Sequence, residues 1–316
     1  IIKRHNNEGL TEIQKLIDSM GESKLTDLDI GQVLKNINIK EYTTYKAGGI
    51  ATALVIPNDL ECLIELLKFL KKNEIKHKIL GRGSNLIFND AGYDGVLIKL
   101  DKFNNLDIKG NEITVGAGYP LIKLATRLSR MGYTGLEFAT GIPGTVGGAI
   151  FMNAGAYKSD MGYIVKSVKV LTPEYRIEEM TNYDMDFHYR TSFLQKNPGY
   201  ICLETTIILK KGNQEEIMQL IEDRRKRRVE SQPLEYPSAG SVFRNPEGDY
   251  AGRLIEEIGY KGYRVGDAEV SVKHANFIIN VGNAKGEDIK QLILEIKTKI
   301  KEKYDIDLKI EQEFVE

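Results

Sequence analysis

The amino-acid sequence predicts an α+β fold with two domains. Helical and strand-like patterns are interspersed along the chain, and several strand-like segments form hairpin-like pairs instead of a regular alternation of strands and helices. The chain has 316 residues, and a domain holds roughly 150 residues, which favours two domains. A strongly charged helical pattern begins after residue 212, so we place the domains at residues 1–212 and 213–316.

The first predicted domain opens with a helix and continues with short strands. Apolar residues at helical spacing predict an amphipathic helix over 10–20 and another over 59–72. Short apolar runs predict strands over 51–57, 78–81 and 95–100. The second helix therefore lies between the first two of these strands in the chain.

A hairpin, a helix and two β-rich segments complete this domain. The run LDIKGNEITV predicts a hairpin that turns at Gly110 and Asn111. The next apolar pattern predicts a helix that ends at Gly132. Strand-like patterns follow over 163–171 and 200–209.

The second predicted domain contains three helices. Residues 213–231 combine a helical period with strong charge, and prolines close this helix. Helical patterns also occur over about 250–258 and over 286–303. A strand-like run occupies 269–281, and the tail ends in a short strand.

Composition argues against several classes of partner. The 44 Lys and Arg and 45 Asp and Glu leave a net charge of −1, so no overall positive field attracts nucleic acid. No apolar run reaches the roughly 18 residues of a membrane span, and the first residues lack the apolar core of a signal peptide. We therefore expect a cytoplasmic protein that binds neither nucleic acid nor membrane.

Cysteine and histidine positions argue against a disulfide framework and a metal site. Cys62 and Cys202 lie far apart, with no second cysteine near either. The four histidines are scattered singly and form no pair at the spacing that places two imidazoles on one helix face. We expect no bound metal.

Glycine is concentrated in two loops. Residues 132–155 contain seven glycines. Ordering them costs backbone entropy, and we expect a bound ligand or a close approach of two backbone segments to offset that cost. A shorter loop, GRGSN (81–85), follows a predicted strand. Its glycines leave backbone amides open to a ligand, and Ser84 and Asn85 add donors, which suits a phosphate or pyrophosphate. A plain tight turn is the alternative.

The longer glycine loop, GIPGTVGGAIFMNAGAY (141–157), matches neither the phosphate-binding lysine loop nor the Rossmann fingerprint. Two such loops, some 60 residues apart, predict an extended anionic cofactor that main chain holds at two places. A dinucleotide is the natural candidate. The spacing alone does not indicate the reaction.

Two polar segments suggest chemistry. Ser241 in PSAGSVFRNP has no histidine nearby to act as a base, so it suits proton donation to a carbanion or enolate better than nucleophilic attack. A capped turn is the alternative. Arg190 in DFHYRTSFLQ can hold a carboxylate or phosphate at two points, and a solvated arginine is the alternative.

The tail and a basic run each leave two interpretations open. The alternation of KIEQEFVE places Glu311 and Glu313 on one strand face, and a solvent-facing edge explains this pattern equally well. The basic run RRKRR (224–228) lies in the last turns of a predicted helix, where cations complement the helix dipole on a solvated face. The second interpretation is a platform for a nucleotide diphosphate.

Taken together, GRGSNL, GIPGTVGGAIFMNAGAY, HYRTSFLQ, QPLEYPSAGSVFRNP and the tail glutamate resemble the bacterial UDP-N-acetylenolpyruvoylglucosamine reductase family. The resemblance runs from about residue 40 to the end. The short spacing between HYR and YICLE leaves no room for a longer tyrosine loop, so the chain resembles the shorter, type II subgroup.

This resemblance implies a PCMH-type FAD-binding domain of two subdomains, followed by a smaller α+β substrate-binding domain. It implies non-covalent FAD, NADPH as hydride donor, and reduction of UDP-N-acetylglucosamine enolpyruvate to UDP-N-acetylmuramate for peptidoglycan. The expected partners are these small molecules alone, and the expected state is a monomer.

The resemblance also implies roles for individual residues. Arg190 polarises the substrate carboxylate, Ser241 donates the proton, and Glu311 helps to stabilise the enolate. The implied cofactor-binding residues are Gly81, Arg82, Gly83, Ser84, Asn85, Thr140, Gly141, Gly144, Val146, Gly147, Gly148, Asn153, Gly155, Ala156 and Tyr157. The implied substrate-binding residues are Tyr189, Arg244, Asn245, Lys261 and His274, with Lys261 as a partner for the diphosphate.

The sequence departs from the family pattern at three positions. His274 replaces a glutamine, and Glu313 replaces an arginine that is common two residues after the catalytic glutamate. Ser231 stands where a lysine often precedes the Gln-Pro step, which leaves the diphosphate contact to a neighbour such as Arg227 or Arg228. These departures affect the expected tail geometry more than the chemistry.

Two other functions remain as alternatives. An oxidase of the same flavoprotein fold, acting on an alcohol or sugar, would often tether FAD near the first glycine loop, where His77 is the candidate. Such an enzyme has no obvious use for Ser241, Arg190 and Glu311 together. A non-catalytic module that binds a nucleotide and, through the basic run, RNA is the third possibility.

Overall fold

The computed structural model describes residues 30–316, and the helix expected over 10–20 lies outside this range. A four-stranded sheet with the order β1, β2, β5, β3 opens the fold, and β2 pairs in parallel with β5. The first five strands are β1 (Gly31–Asn38), β2 (Ile50–Pro57), β3 (His77–Ile79), β4 (Leu86–Phe88) and β5 (Tyr93–Ile98). The three strands predicted here are confirmed within a few residues.

Helix α1 (Leu60–Lys72) packs one apolar face on this sheet, as its sequence pattern predicts. The Asp59 carboxylate caps its first turn by accepting a hydrogen bond from the Cys62 amide at 2.9 Å. This local bond fixes where the helix begins.

The second sheet has five antiparallel strands in the order β12, β11, β13, β7, β6. The hairpin predicted at Gly110 is confirmed, since β6 and β7 pair across it and Gly110 has a φ of 61°. The strands of this region are β6 (Leu106–Lys109), β7 (Glu112–Gly116), β8 (Tyr133–Thr134), β9 (Gly155–Ala156), β10 (Ser159–Asp160), β11 (Val165–Leu171), β12 (Ile177–Thr181), β13 (Ile201–Ile208) and β14 (Lys210–Lys211).

Three helices accompany this sheet: α2 (Leu121–Arg130), α3 (Val146–Met152) and α4 (Phe193–Lys196). Short 3-10 turns occur at Ile39–Tyr42, Glu137–Gly141 and Met161–Tyr163. The longer glycine loop leads directly into α3, which Thr145 caps by accepting a hydrogen bond from the Gly148 amide at 3.2 Å. The glycine-rich segment is therefore partly helical.

The C-terminal part contains α5 (Gln214–Ser231), α6 (Ala251–Glu257), β15 (Arg264–Val265), β16 (Ala268–Val270), β17 (Ile278–Asn280), α7 (Gly286–Tyr304) and β18 (Glu313–Val315). The three predicted helices are confirmed. The prediction of one strand over 269–281 is wrong, because β16 and β17 form an antiparallel pair joined by a loop. The Ser271 hydroxyl starts that loop by accepting hydrogen bonds from the amides of Lys273 and His274.

Two large hydrophobic clusters divide the described chain. Members of the first all lie between Ile30 and Leu209, and most of the second lies between Ala239 and Leu308. Three residues from the first part of the chain join the second cluster: Tyr45, Ala47 and Ile87. The boundary expected between residues 212 and 213 falls between the clusters and stays a prediction.

Candidate active site

A cavity of about 1680 Å³ lies between the two glycine loops, helix α5 and the C-terminal tail. Pockets for a single small ligand measure roughly 300–1,000 Å³, so this volume suits a large ligand or two ligands together. Most of the predicted site residues line it: Gly81, Arg82, Gly83, Ser84, Asn85, Thr140, Gly141, Gly144, Gly147, Gly148, Gly155, Ala156, Tyr157, Arg190, Ser241, His274 and Glu311.

In the first glycine loop (81–85), the backbone amides are free to bind a ligand, while two of the carbonyls are already hydrogen-bonded. The Gly81 carbonyl accepts from Lys99 Nζ at 2.9 Å, and the Gly83 carbonyl accepts from the Thr44 amide at 3.2 Å. Within residues 30–316, no acceptor binds the five amides of this loop. Such a row of free amides is the geometry that proteins use for phosphate oxygens.

Gly83 explains why this loop needs glycine. Its φ is +65°, and an added Cβ would lie 2.3 Å from the Tyr42 carbonyl oxygen. Any other residue would be strained in the backbone and would collide with the neighbouring main chain. Glycine therefore lets the loop pack closely on the segment before β2.

In the second glycine loop, the backbone packs closely against neighbouring main chain, and two of its amides are already hydrogen-bonded. The Val146 amide donates to the Tyr119 carbonyl at 2.9 Å and the Gly147 amide to the Ala117 carbonyl at 2.8 Å. The Ser84 hydroxyl donates to the Pro143 carbonyl at 3.1 Å and so joins the two loops. The two segments that the sequence predicts as one divided binding site are thus in contact.

Two predicted cofactor-binding residues do not reach the cavity wall. Val146 is fully buried in the first hydrophobic cluster. Asn153 is also buried, with a left-handed φ of 45°, and its amide group donates to the His188 carbonyl and accepts from the Gly162 amide. Both residues support the loop from behind, because their side chains face the core.

Arg190 and Glu311 form an ion pair on the cavity wall. Arg190 Nε donates to Glu311 Oε1 at 3.1 Å, and Arg190 Nη2 donates to the Gly155 carbonyl at 2.7 Å. Their side chains are only 18% and 15% exposed. Burial raises the pKa of Glu311, although the charges of Arg190 and Arg244 oppose that rise.

Arg190 has an unusual backbone conformation, with a φ of 55°. Two hydrogen bonds to its carbonyl hold this conformation, from Gln195 Nε2 at 2.7 Å and from Arg244 Nη2 at 3.2 Å. Strained conformations of this kind persist only where the surroundings fix them. The guanidinium is therefore held in place from both its backbone and its side chain.

Ser241 reaches the same wall through pairing of two distant segments. The Glu311 amide donates to the Val242 carbonyl at 2.8 Å, and the Arg244 amide donates to the Lys309 carbonyl at 2.8 Å. Asn85 Nδ2 in the first glycine loop donates to the Glu311 carbonyl at 3.1 Å. These contacts bring Ser241, Glu311 and the first glycine loop together.

The tail is not a solvent-facing edge. Strand β18 pairs in parallel with β4, and both Glu311 and Glu313 line the cavity. Glu313 Oε1 accepts a hydrogen bond from Lys78 Nζ at 2.7 Å. The sequence offers no signal for Lys78, because its partner is more than 200 residues away in the chain.

Four of the residues expected to bind substrate lie outside the cavity wall: Tyr189, Arg244, Asn245 and Lys261. Lys261 Nζ pairs with Glu256 at 3.0 Å instead of facing the cavity. The Tyr189 hydroxyl accepts from the Asn245 amide at 3.3 Å. His274 does line the cavity, and burial together with the charge of Lys261 lowers its pKa.

The basic run on α5 faces the cavity. Four of its members, Arg224, Arg225, Arg227 and Arg228, line the wall. The Arg224 guanidinium stacks on the Tyr157 ring at 4.2 Å, and Arg225 pairs with Glu222 at 2.8 Å. Arg228 packs against Gly141, and its buried Nε has no hydrogen-bond partner in the described chain.

Other site types are not found in the described part of the chain. No group of three or more His, Cys, Asp or Glu side chains in residues 30–316 has an arrangement that holds a metal ion. Over the same residues, no helix is both long and apolar enough to cross a membrane.

Comparison with known proteins identifies the family. A model of the UDP-N-acetylenolpyruvoylglucosamine reductase C-terminal domain matches residues 232–315, and a model of an FAD binding domain matches residues 51–181. A UDP-N-acetylenolpyruvoylglucosamine reductase from Halalkalibacterium halodurans is 45% identical over 304 residues, which cover 96% of this chain and 99% of the relative. The chain belongs to this reductase family.

Further comparisons agree with this membership. The enzyme of the same name from Bacillus subtilis is 44% identical and covers 92% of this chain and 97% of its own length. The crystal structure of the reductase MurB from Thermus caldophilus superposes with a TM-score of 0.77 at 36% identity, covering 90% of this chain and 99% of that one. The fold is therefore α+β with a PCMH-type FAD-binding domain, while the type II assignment stays a prediction.

We expect Asn153→Ala to destabilise the protein by about 2–4 kcal/mol, because it removes two buried hydrogen bonds and leaves alanine in a left-handed conformation. Urea unfolding measures this loss. The FAD affinity of the folded protein should stay within about twofold of wild type, because the Asn153 side chain faces the core and not the cavity.

Asn105→Ala is the matched control for this variant. Asn105 Nδ2 donates to Glu204 Oε2 at 2.8 Å on the exposed surface, so its loss should cost under about 0.5 kcal/mol. Weak FAD binding in a fully stable Asn153→Ala protein would contradict the supporting role.

Proposed function

We propose that this chain is a flavin-dependent reductase that converts UDP-N-acetylglucosamine enolpyruvate to UDP-N-acetylmuramate for peptidoglycan synthesis, with NADPH as hydride donor. The observation that carries this proposal is the joint placement of Arg190, Ser241 and Glu311 on one cavity wall beside the two glycine loops. The family membership supplies the substrate and the hydride donor. A cytoplasmic monomer is the working state we infer from it.

The cavity fits a dinucleotide such as FAD. The free amides of 81–85 suit the oxygens of a diphosphate, and Arg228 on the same cavity wall has a buried Nε without a hydrogen-bond partner in the described chain. Gly141 leaves room for that guanidinium, because an added Cβ would lie 1.6 Å from Arg228 Nη1. We infer that FAD lies between these two groups and is bound without a covalent bond.

The domain boundary belongs to the same proposal. Residues 1–212 would form the FAD-binding domain, and residues 213–316 the substrate-binding domain. The two hydrophobic clusters support a boundary in the interval between Leu209 and Ala239, where the first ends and most of the second begins. The tail then carries Glu311 from the second domain onto the FAD-binding domain, so the cavity includes residues from both.

When bound, FAD would supply the redox chemistry, passing a hydride from NADPH to the terminal carbon of the enolpyruvyl double bond. The adjacent carbon then needs a proton, and Ser241 is placed to donate it because its hydroxyl makes no hydrogen bond to any residue in the described chain. The substrate thus gains one hydride, which carries two electrons and one proton, and one further proton, while NADPH is oxidised to NADP⁺. The serine regains its proton from solvent.

Arg190 and Glu311 act on the charge that develops at the substrate carboxylate. The guanidinium has one nitrogen on Glu311 and one on Gly155, which fixes its orientation before substrate arrives. A preorganised cation stabilises an enolate more than the ground state, which lowers the barrier. A protonated Glu311 can donate a hydrogen bond to the same group, and burial favours that form.

The alternative oxidase is not favoured by these residues or by the family. An anaerobic experiment separates the two functions. NADPH should bleach the flavin absorbance and the enolpyruvyl substrate should restore it. Rapid recovery with oxygen alone and no response to the substrate would favour the oxidase, and a protein that binds no flavin would contradict both enzymes.

Ser241→Ala should leave the reduction of flavin by NADPH within about twofold of wild type and slow flavin reoxidation by substrate about 10²–10⁴-fold, the usual range for a positioned acid. Stopped-flow absorbance measures both steps. Ser238→Ala, on the same wall, is the control and should leave both steps nearly unchanged. Equal losses in both steps would argue against proton donation by Ser241.

Glu311→Gln should slow reoxidation at least about tenfold, because its amide donates a weaker hydrogen bond than a protonated carboxyl to the developing enolate. In the wild type, the raised pKa keeps Glu311 protonated above the usual value of about 4.3, so the rate should fall as pH rises through that pKa. This falling limb should be absent from Glu311→Gln. Glu313→Gln should retain it, and a limb that survives in Glu311→Gln would assign it to another group.

Arg228→Ala should raise the dissociation constant for FAD at least about tenfold, because a charge-assisted hydrogen bond contributes roughly 1.5–3 kcal/mol. Gly141→Ala should produce a similar loss by displacing the guanidinium. The double variant should be no weaker than Arg228→Ala alone. Flavin fluorescence titration of the apoprotein measures these constants.

Lys226→Ala is the control for the change in charge, because Lys226 is exposed on the same helix and lies off the cavity wall. It should bind FAD like wild type. Additive losses in the double variant would show that Gly141 and Arg228 act separately, against the proposed arrangement.

A further inference from the structure

A buried glutamine holds the backbone of the Ser241 loop. The Gln312 side chain is 4% exposed and lies on the opposite side of the tail from Glu311 and Glu313. Its Nε2 donates to three successive carbonyls, those of Ala239 at 3.0 Å, Gly240 at 3.1 Å and Ser241 at 3.4 Å.

The glutamine is itself fixed by a tyrosine. The Tyr45 hydroxyl donates to Gln312 Oε1 at 2.6 Å, and the Tyr45 side chain is 1% exposed. The Tyr45 carbonyl accepts from Asn280 Nδ2 at 2.9 Å. Tyr45 thus anchors Gln312 between the segment before β2 and strand β17.

The hydrogen bonds of Gln312 fix the position of the Ser241 loop relative to the tail. Gly240 has a φ of +71°, and no atom lies within 4 Å of the position that a Cβ would occupy. Neighbouring residues therefore do not hold this turn by packing against it. The Gln312 amide supplies the constraint at this turn, since it gathers the three carbonyls on one side. A buried, fully bonded polar group of this kind specifies one geometry.

We propose that Tyr45 and Gln312 are positioning residues for proton transfer from Ser241. This inference rests on the proposed function of Ser241. Gln312 fixes the loop that carries the hydroxyl, and it does so from the residue next to Glu311. The distance between the Ser241 hydroxyl and the substrate carbon then depends on a hydrogen bond whose two partners never touch substrate.

Tyr45→Phe tests this role, because it removes one hydroxyl and keeps the buried ring. Flavin reduction by NADPH should stay within about twofold of wild type. Reoxidation by the enolpyruvyl substrate should slow about tenfold, since a small misplacement of a reacting group costs that much or more. The solvent deuterium isotope effect on reoxidation should rise, because proton transfer becomes a larger part of the barrier.

Tyr133→Phe is the matched control. The Tyr133 hydroxyl also makes a 2.6 Å hydrogen bond, to the Gly110 carbonyl, and its side chain is 4% exposed. Tyr133 lies off the cavity wall. We expect it to lose comparable stability in urea and to keep wild-type rates and a wild-type isotope effect in both steps.

A double variant separates this inference from the proposed function. If Tyr45 acts through Ser241, Tyr45→Phe should change reoxidation by less than about twofold in a Ser241→Ala background. A full tenfold loss in that background, or Tyr45→Phe behaving like Tyr133→Phe, would overturn the inference. Normal reoxidation by Ser241→Ala alone would instead overturn the proposed function.

Discussion

The site depends on the insertion of the C-terminal tail between two distant parts of the chain. On one side, β18 pairs in parallel with β4, directly after the first glycine loop. On the other side, the residues before β18 pair with the segment that follows Ser241, through the bridge between Phe243 and Ile310. Because both pairings use main-chain hydrogen bonds, they fix the tail residues relative to both neighbours at once.

This insertion also determines the electrostatics of the wall. Main-chain pairing holds Glu311 in a position where it is largely desolvated, and desolvation favours the neutral acid. Arg190 compensates only in part, since it divides its nitrogens between Glu311 and the Gly155 carbonyl. A buried carboxyl of this kind is unfavourable for stability alone, and such arrangements occur where chemistry needs them.

Local patterns made most of the fold predictable. The helix over 59–72 follows from apolar spacing, and the helices over 213–231 and 286–303 follow from the helical period of their residues, which are properties of nearby residues in the chain. The run over 269–281 forms two strands where its apolar content predicts one, because Ser271 caps an intervening turn through hydrogen bonds. Hydroxyl caps compete with strand pairing and leave little trace in a hydropathy pattern.

The glycine loops and the residues proposed for chemistry were also recognisable, since their residue types are unusual for plain turns. Their supporting contacts were not. In the sequence, Gln312 is a polar residue between two glutamates, and nothing in that pattern indicates that it is buried. Its partner Tyr45 lies more than 200 residues away in the chain, so no local pattern indicates their contact. The role of Lys261 stays a prediction that rests on the resemblance, and the fold adds a contact that the sequence does not show, an ion pair with Glu256.

A net charge near zero conceals a strongly uneven distribution of charge. Four arginines of the basic run line the cavity, while many of the acidic residues lie on the outer surface in pairs with lysines. Surface pairs of that kind contribute little field inside a low-dielectric cavity, whereas unpaired guanidinium groups on its wall contribute strongly. The total charge of the protein therefore does not describe the cavity, where Arg224, Arg227 and Arg228 add positive charge to the wall.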